Sequence, residues 1–243
     1  MGDALVGEMS FFEHLEELRR RLVISVVALA AGFGIGWLFL AEEILKNIEY
    51  NVLGGMKLTA LTPLAAALAR MKISLVVALI LASPVVAYEF FAFVIPALRP
   101  KEKRLALKLI LPSIALFLVG LSFGYFVMIP VTMNFLMSMF QDDLIVNMWG
   151  VDQTISFIFL MLLVFGAIFE YPLIAAMLSS LGMVSPGFFQ KNRPLAVIGI
   201  LIIAAVITPD PTMVSQVIVA VPMYALFELG ILLSKLFYSG EGD

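Results

Sequence analysis

The chain has 243 residues, 62% of them hydrophobic and 14% charged, with a net charge of −3. Soluble domains keep an apolar share of about 45–50%, so this composition excludes one and specifies an integral membrane protein. The weak negative charge argues against a nucleic-acid partner, and the absence of cysteine excludes thiol redox chemistry, thiolate metal sites and cysteine nucleophiles.

The first residues are acidic at Asp3, Glu8, Glu13, Glu16 and Glu17, where a cleavable secretory signal needs positive charge. Ser10 and Glu13 then form a capping box, and Phe11, Leu15, Leu18 and Leu22 share one face of the helix it opens. Glu13 and Glu17 lie within helical reach of Arg20 and Arg21. Two readings follow: a solvated interfacial helix with internal ion pairs, or an acceptor for a basic peptide, since surface carboxylates bind guanidinium groups through charge-assisted forks.

Windows of about 19 residues give six expected spans: 22–40, 73–97, 105–129, 155–181, 195–208 and 213–236. The segment 41–70 is expected to form a cap on the membrane surface, with Gly54-Gly55 as a turn and Thr62-Pro63 as a helix start. Span two carries Glu89. The loop after it, Pro100-Lys-Glu102-Lys-Arg104, reads as charge balance in a basic loop or, if spans one to three pack together, as a second carboxylate beside Glu17. Span four carries Glu170 at bilayer depth, where a carboxyl costs several kcal/mol unless neutralised or paired, so a chain that keeps one there uses it.

Span five offers about 14 helical residues, a reach of about 21 Å against a hydrocarbon core of about 30 Å. It needs a thinned bilayer or support from its neighbours. Pro209-Asp210-Pro211-Thr212 joins it to span six, with Asp210 as a turn-forming and capping residue. Glu228 is expected to pair with Lys235 or to reach interfacial water, and Trp37 and Trp149 read as interface anchors. Pro84, Pro112, Pro172 and Pro222 each remove a backbone donor inside a span, which predicts bent helices and a concave face.

Basic residues set the orientation. With the N-terminus in the cytoplasm, Arg19, Arg20, Arg21, Arg99, Lys101, Lys103, Arg104, Lys108, Lys191, Arg193 and Lys235 fall inside. Lys46, Lys57, Arg70 and Lys72 fall outside, so the positive-inside rule favours both termini in the cytoplasm. The whole chain, 1–243, is expected to be a single membrane domain.

Catalysis is not expected. His14 is the single histidine, which excludes a HExxH zinc site and an imidazole-based dyad within the membrane, and no Gly-Lys-Ser/Thr phosphate loop occurs. No cofactor or metal is implied. An alternative function is a proton-coupled small-solute carrier using Glu89, Glu170 and Glu228 as relay carboxyls.

Several motifs, in order along the chain, resemble the TatC family, the multispanning receptor subunit of the twin-arginine protein translocase. They are His14-Leu-Glu-Glu17-Leu-Arg19-Arg-Arg21, Ser83-Pro84 through Tyr88 to Pro96-Ala-Leu98 and Glu102, and Phe165-Gly-Ala-Ile-Phe-Glu170-Tyr-Pro172. Thr208-Pro209-Asp210 with Ser215-Gln216, then Pro222-Met-Tyr-Ala-Leu-Phe-Glu228, completes the set, and the resemblance covers residues 10–235.

The resemblance implies an all-α protein of six transmembrane helices in a prokaryotic cytoplasmic membrane. It further implies that Glu17 and Glu102 contact the paired arginines of a signal peptide, with Arg19 organising the site. Glu170 would sit in a concave membrane face, and Thr208 with Gln216 would form a polar patch for the single helices of TatA and TatB. Asp210 and Pro172 enter as structural or gating candidates. Transport of folded cargo would draw on the proton-motive force, with lipid as the surrounding partner and self-association left open. The chain departs from the family pattern at Glu89, where an amide is common, at Phe91, often Trp, and at Ala97, often Gly.

Overall fold

The computed structural model describes residues 11–55, 57–97, 100–139, 149–208 and 212–238, and the regular elements among them are helical. Helix α1 (Phe11–Ile35) continues through a π-helical stretch, Gly36–Leu40, into α2 (Ala41–Asn47) and a second π-helical stretch, Ile48–Val52. Then come α3 (Ala65–Val94), α4 (Pro100–Phe123), a π-helical Gly124–Met128, α5 (Ile129–Met139), α6 (Val151–Ser180), α7 (Pro186–Lys191), α8 (Arg193–Ile207) and α9 (Met213–Phe237).

Five runs are long and apolar enough to cross a bilayer: Phe12–Val52, Ala65–Val94, Ala106–Ser138, Val151–Ser180 and Met213–Phe237. The shorter apolar helix α8 is the sixth. Its 15 residues extend about 22 Å at 1.5 Å each, well under a full hydrocarbon thickness. Successive runs alternate in direction, so the bundle has a proximal rim, where α1 begins and α3 ends, and a distal rim, where α3 and α6 begin.

Each π-helical stretch shifts one turn of backbone bonding and frees a carbonyl. The amide of Ala41 bonds to the carbonyl of Gly36, which leaves the Trp37 carbonyl without its usual helical donor. Arg70 supplies it, through Nε at 3.1 Å and Nη2 at 2.6 Å, and its guanidinium also lies 5.0 Å from the centre of the Trp37 ring. Farther along, the amide of Ile129 bonds to Gly124, and the widened turn ends at Pro130, whose ring would otherwise meet the carbonyl four residues back. At Pro84 the carbonyl left without a donor is that of Ile80, and the neighbouring Ser83 hydroxyl donates to it at 2.8 Å.

Helix α6 is the centre of the bundle and packs against α3, α4, α8 and α9. Its buried positions, among them Ile155, Ile158, Met161, Leu162 and Phe165, recur at helical spacing. On the distal rim, Ile48, Leu53, Ile129 and Met133 bury against the same core. The segment around Thr59 is fastened there by two backbone bonds, Thr59 N–H to Trp149 and Val151 N–H to Thr59, at 2.8 and 3.0 Å. Gly54 and Gly55, at φ 59° and 85°, make the turn that permits this return. Lys72 of α3 pairs with Asp152 of α6 at 2.5 Å and so ties the starts of these two parallel helices together.

Outside this core the surface is apolar. Val23, Val26, Val27, Leu38 and Phe39 on the first run, and Ile198, Ile202, Val206, Val217 and Val221 on α8 and α9, are exposed. Lipid tails solvate such side chains as well as other helices would, so helix contacts come from close approach instead. Gly32 and Gly36 bring α1 onto α3 at Ala78 and Ser74, and Gly120 brings α4 onto α6. A methyl added to Gly120 would lie 2.5 Å from the Phe165 carbonyl oxygen and 2.8 Å from the Phe169 Cβ.

Gly120→Val therefore forces α4 away from α6 and is expected to cost about 1–3 kcal/mol. Thermal unfolding of the detergent-solubilised protein, followed by loss of the monodisperse peak, should show the drop; an unchanged transition would contradict this packing.

Candidate functional site

At the proximal rim the register of α1 against α3 is set by a ring stack, His14 on Phe93, with centroids 4.4 Å apart and planes at 18°. Two turns farther into the bundle, Arg21 bridges the two helices. Its Nε donates to Glu17 Oε1 at 2.8 Å, Nη2 also donates to Glu17, and Nη1 donates to Glu89 Oε2 at 2.9 Å. The helical pattern puts Arg21 one turn beyond Glu17, while Glu89 arrives from 68 residues away. The Glu89 side chain is 11% exposed and that of Glu17 is 26% exposed, so the two carboxylates of this cluster differ in access to solvent.

The cluster shows where sequence reasoning fell short. The sequence marks Glu89 as a departure from the family pattern and as a relay carboxyl of the carrier alternative, and names no partner for it. The available signal was the charge itself: an acid within an apolar span requires a cation on an adjacent helix, and the Arg19 to Arg21 run is the supply beside it. Arg19 is exposed on α1. Glu102 lies in the first turn of α4 by its backbone, and its side chain is outside the described residues.

On another face of α3 lies a cleft of about 470 Å³, walled by α3, α4 and α6. Phe90 and Phe91 form its wall next to Glu89, Phe117 and Met177 extend the apolar lining, and Ser83, Ser113 and Glu170 contribute polar atoms. Glu170 is half-buried on α6, and its Oε2 accepts from the Ser113 hydroxyl at 2.9 Å. The serine thus satisfies part of a carboxyl that hydrocarbon alone would leave bare. Two residues on, Pro172 is fully buried, and α9 reaches it through Gly230, where an added methyl would sit 2.5 Å from the Tyr171 ring. Pro172 thus stands at the α6–α9 contact.

The short hairpin carries the remaining candidates. Thr208 is buried at the end of α8 and donates its hydroxyl to the Ala204 carbonyl at 2.9 Å. Gln216 is partly buried on the first turn of α9, beside the buried Ser215. Asp210 lies outside the described residues. At the opposite end of the hairpin, Glu228 is held by Arg193 at 2.6 Å and by the Tyr224 hydroxyl at 2.7 Å. The sequence offers Lys235 on the same helix or interfacial water as its partner; the antiparallel return of α9 along α8 brings Arg193.

Comparison with known proteins agrees with this architecture. A family model described as Sec-independent protein translocase protein (TatC) matches residues 13–222. The chain is 36% identical over 234 residues to the Sec-independent protein translocase protein TatCy of Bacillus subtilis, covering 96% of this chain and 91% of that one. It is 37% identical over 231 residues to TatC of Aquifex aeolicus, covering 94% and 95%. Against TatC of Escherichia coli K12 the identity is 32% over 233 residues, covering 94% and 89%. A crystal structure of the twin-arginine translocase receptor TatC superposes with a TM-score of 0.82 at 37% identity, over 93% of this chain and 99% of that one.

The Ser113 to Glu170 bond can be tested by itself. Ser113→Ala removes the donor and is expected to lower stability by about 1–3 kcal/mol, whereas Glu170→Gln keeps an acceptor for Ser113 and should cost less. Melting curves in detergent would separate the two, and equal losses would contradict this role for the serine.

Proposed function

The chain belongs to the TatC family of Sec-independent protein translocase proteins, and we propose that it binds twin-arginine signal peptides and nucleates the export of folded cargo. The observation that carries this reading is Glu17: a partly exposed carboxylate at the proximal rim that already grips a guanidinium group. An arginine of a signal peptide offers the same fork to the same oxygen atoms. Glu102, on the first turn of α4, is the second acceptor in this reading, and Arg19 organises the site.

The cleft of α3, α4 and α6 gives the reading its membrane half. Its lining is almost wholly apolar, with Glu170 and Ser113 as the polar pair, which suits a hydrophobic helix bearing a polar side chain. In this proposal Glu170, Thr208 and Gln216 contact the single transmembrane helices of TatA and TatB. Asp210 shapes the hairpin turn, and Pro172 the α6–α9 contact. The chain is one membrane domain, 1–243, in a prokaryotic inner membrane, with both termini cytoplasmic as the distribution of basic residues favours. It acts by binding, and transport draws on the proton-motive force.

The carrier alternative needs Glu89, Glu170 and Glu228 to pass protons to one another. Glu89 and Glu228 are each held by an arginine, Arg21 and Arg193, and Glu170 is bonded to Ser113. Three separately partnered carboxyls favour the receptor.

A charge-assisted bond at a partly wet site is worth about 1–3 kcal/mol, so losing one acceptor should weaken peptide recognition by roughly 5- to 150-fold. Glu17→Ala and Glu102→Ala are expected to lose photo-cross-linking to a twin-arginine peptide while the protein still inserts. Wild-type cross-linking in both would refute the proposal. In the same assay with TatA or TatB helices, Glu170→Gln should retain contact and Glu170→Ala should not.

A further inference from the structure

Of the polar clusters in the bundle, the one at the proximal rim holds its own competitor. If Glu17 accepts a peptide guanidinium, as the preceding reading has it, the acceptor is already filled by an identical chemical group. Arg21 places both Nε and Nη2 on Glu17 and only Nη1 on Glu89. We propose that Arg21 is a resident competitor for the signal peptide's arginine at Glu17, and that Glu89 is the positioning residue that takes Arg21 up when Glu17 is released.

Three features carry this inference. The cluster contains two carboxylates and one guanidinium, so a second guanidinium completes it without expelling the first. Next, the two acids are unequally buried. Glu89, at 11% exposure, cannot be stripped of its cation cheaply, whereas Glu17, at 26%, faces the solvent from which a peptide arrives. Finally, the exchange needs only a side-chain rotation. Arg21 already touches both acids, and turning its fork from Glu17 onto Glu89 converts the single Nη1 bond into a paired one.

A site whose acceptor is free for only part of the time binds with an apparent dissociation constant equal to the intrinsic one divided by that free fraction. Glu89 raises the fraction by offering Arg21 another place to rest. With an amide at this position the arginine would fall back on Glu17, and the competitor would be stronger. Glu89 therefore tunes affinity through Arg21 rather than by touching the peptide.

The experiment measures binding of a fluorescent twin-arginine peptide to the full chain in detergent, for wild type, Glu89→Gln, the double variant Arg21→Gln/Glu89→Gln, and Glu17→Gln as reference. Glu89→Gln is expected to weaken binding by about five-fold or more, and the double variant to bind at least as tightly as wild type, because the competitor has gone. Rescue by the second substitution is a result that a merely structural role for Glu89 would not produce. A double variant as weak as Glu89→Gln, or Glu89→Gln binding like wild type, overturns the inference. Should Glu89→Gln fail to accumulate, the double variant, which leaves only the more exposed Glu17 without its arginine, decides against wild type: weaker binding refutes the competitor. Unchanged binding in Glu17→Gln would instead remove the acceptor reading on which this rests, whereas loss there without rescue sinks the competitor alone.

Discussion

Helices surrounded by lipid gain nothing by burying one apolar side chain against another, so this bundle depends on close approach and on every polar group finding a partner. Both demands meet along the α1–α3 and α4–α6 contacts. Gly32 and Gly36 let α1 reach the backbone of α3, and Gly120 does the same for α4 on α6. The polar residues that bridge these pairs, Arg21 with Glu89 and Ser113 with Glu170, span distances that such contacts make short.

The same constraint explains the irregular backbone. A π-helical turn or a proline leaves a carbonyl without a donor, and at two such places a side chain from nearby in space supplies one. Arg70 serves Trp37, and Ser83 serves Ile80 beside Pro84. Irregularity at membrane depth is thus tied to specific polar side chains, and these hold α2 and α3 in position over the core.

The charged residues divide by depth. Lys72 with Asp152 closes the distal rim, while Arg21 and Arg193 each neutralise an acid toward the proximal rim. Between them the cleft of α3, α4 and α6 carries the carboxyl of Glu170, with Ser83 and Ser113, on a largely apolar lining. The layout thus keeps ion pairs at the two rims and a largely apolar cleft between them. Arg21, at the proximal edge, joins two acids from different helices.

The sequence alone carried the all-α membrane class, the six apolar runs, the shortness of the fifth and the family, because hydropathy, proline spacing and short motifs are local properties of a chain. It also isolated Glu170, since an acid within an apolar run stands out against its neighbours, whereas Glu17, beside Glu13 and Glu16, was singled out by the family motif. Pairing was not legible. Whether Arg21 turns to Glu17 alone or also to Glu89, whether Glu228 meets Lys235 or Arg193, and which hydroxyl answers Glu170 depend on the register between helices far apart in sequence. That register is set by where glycines permit contact and where π-helical turns rotate a face, and only the folded bundle decides it.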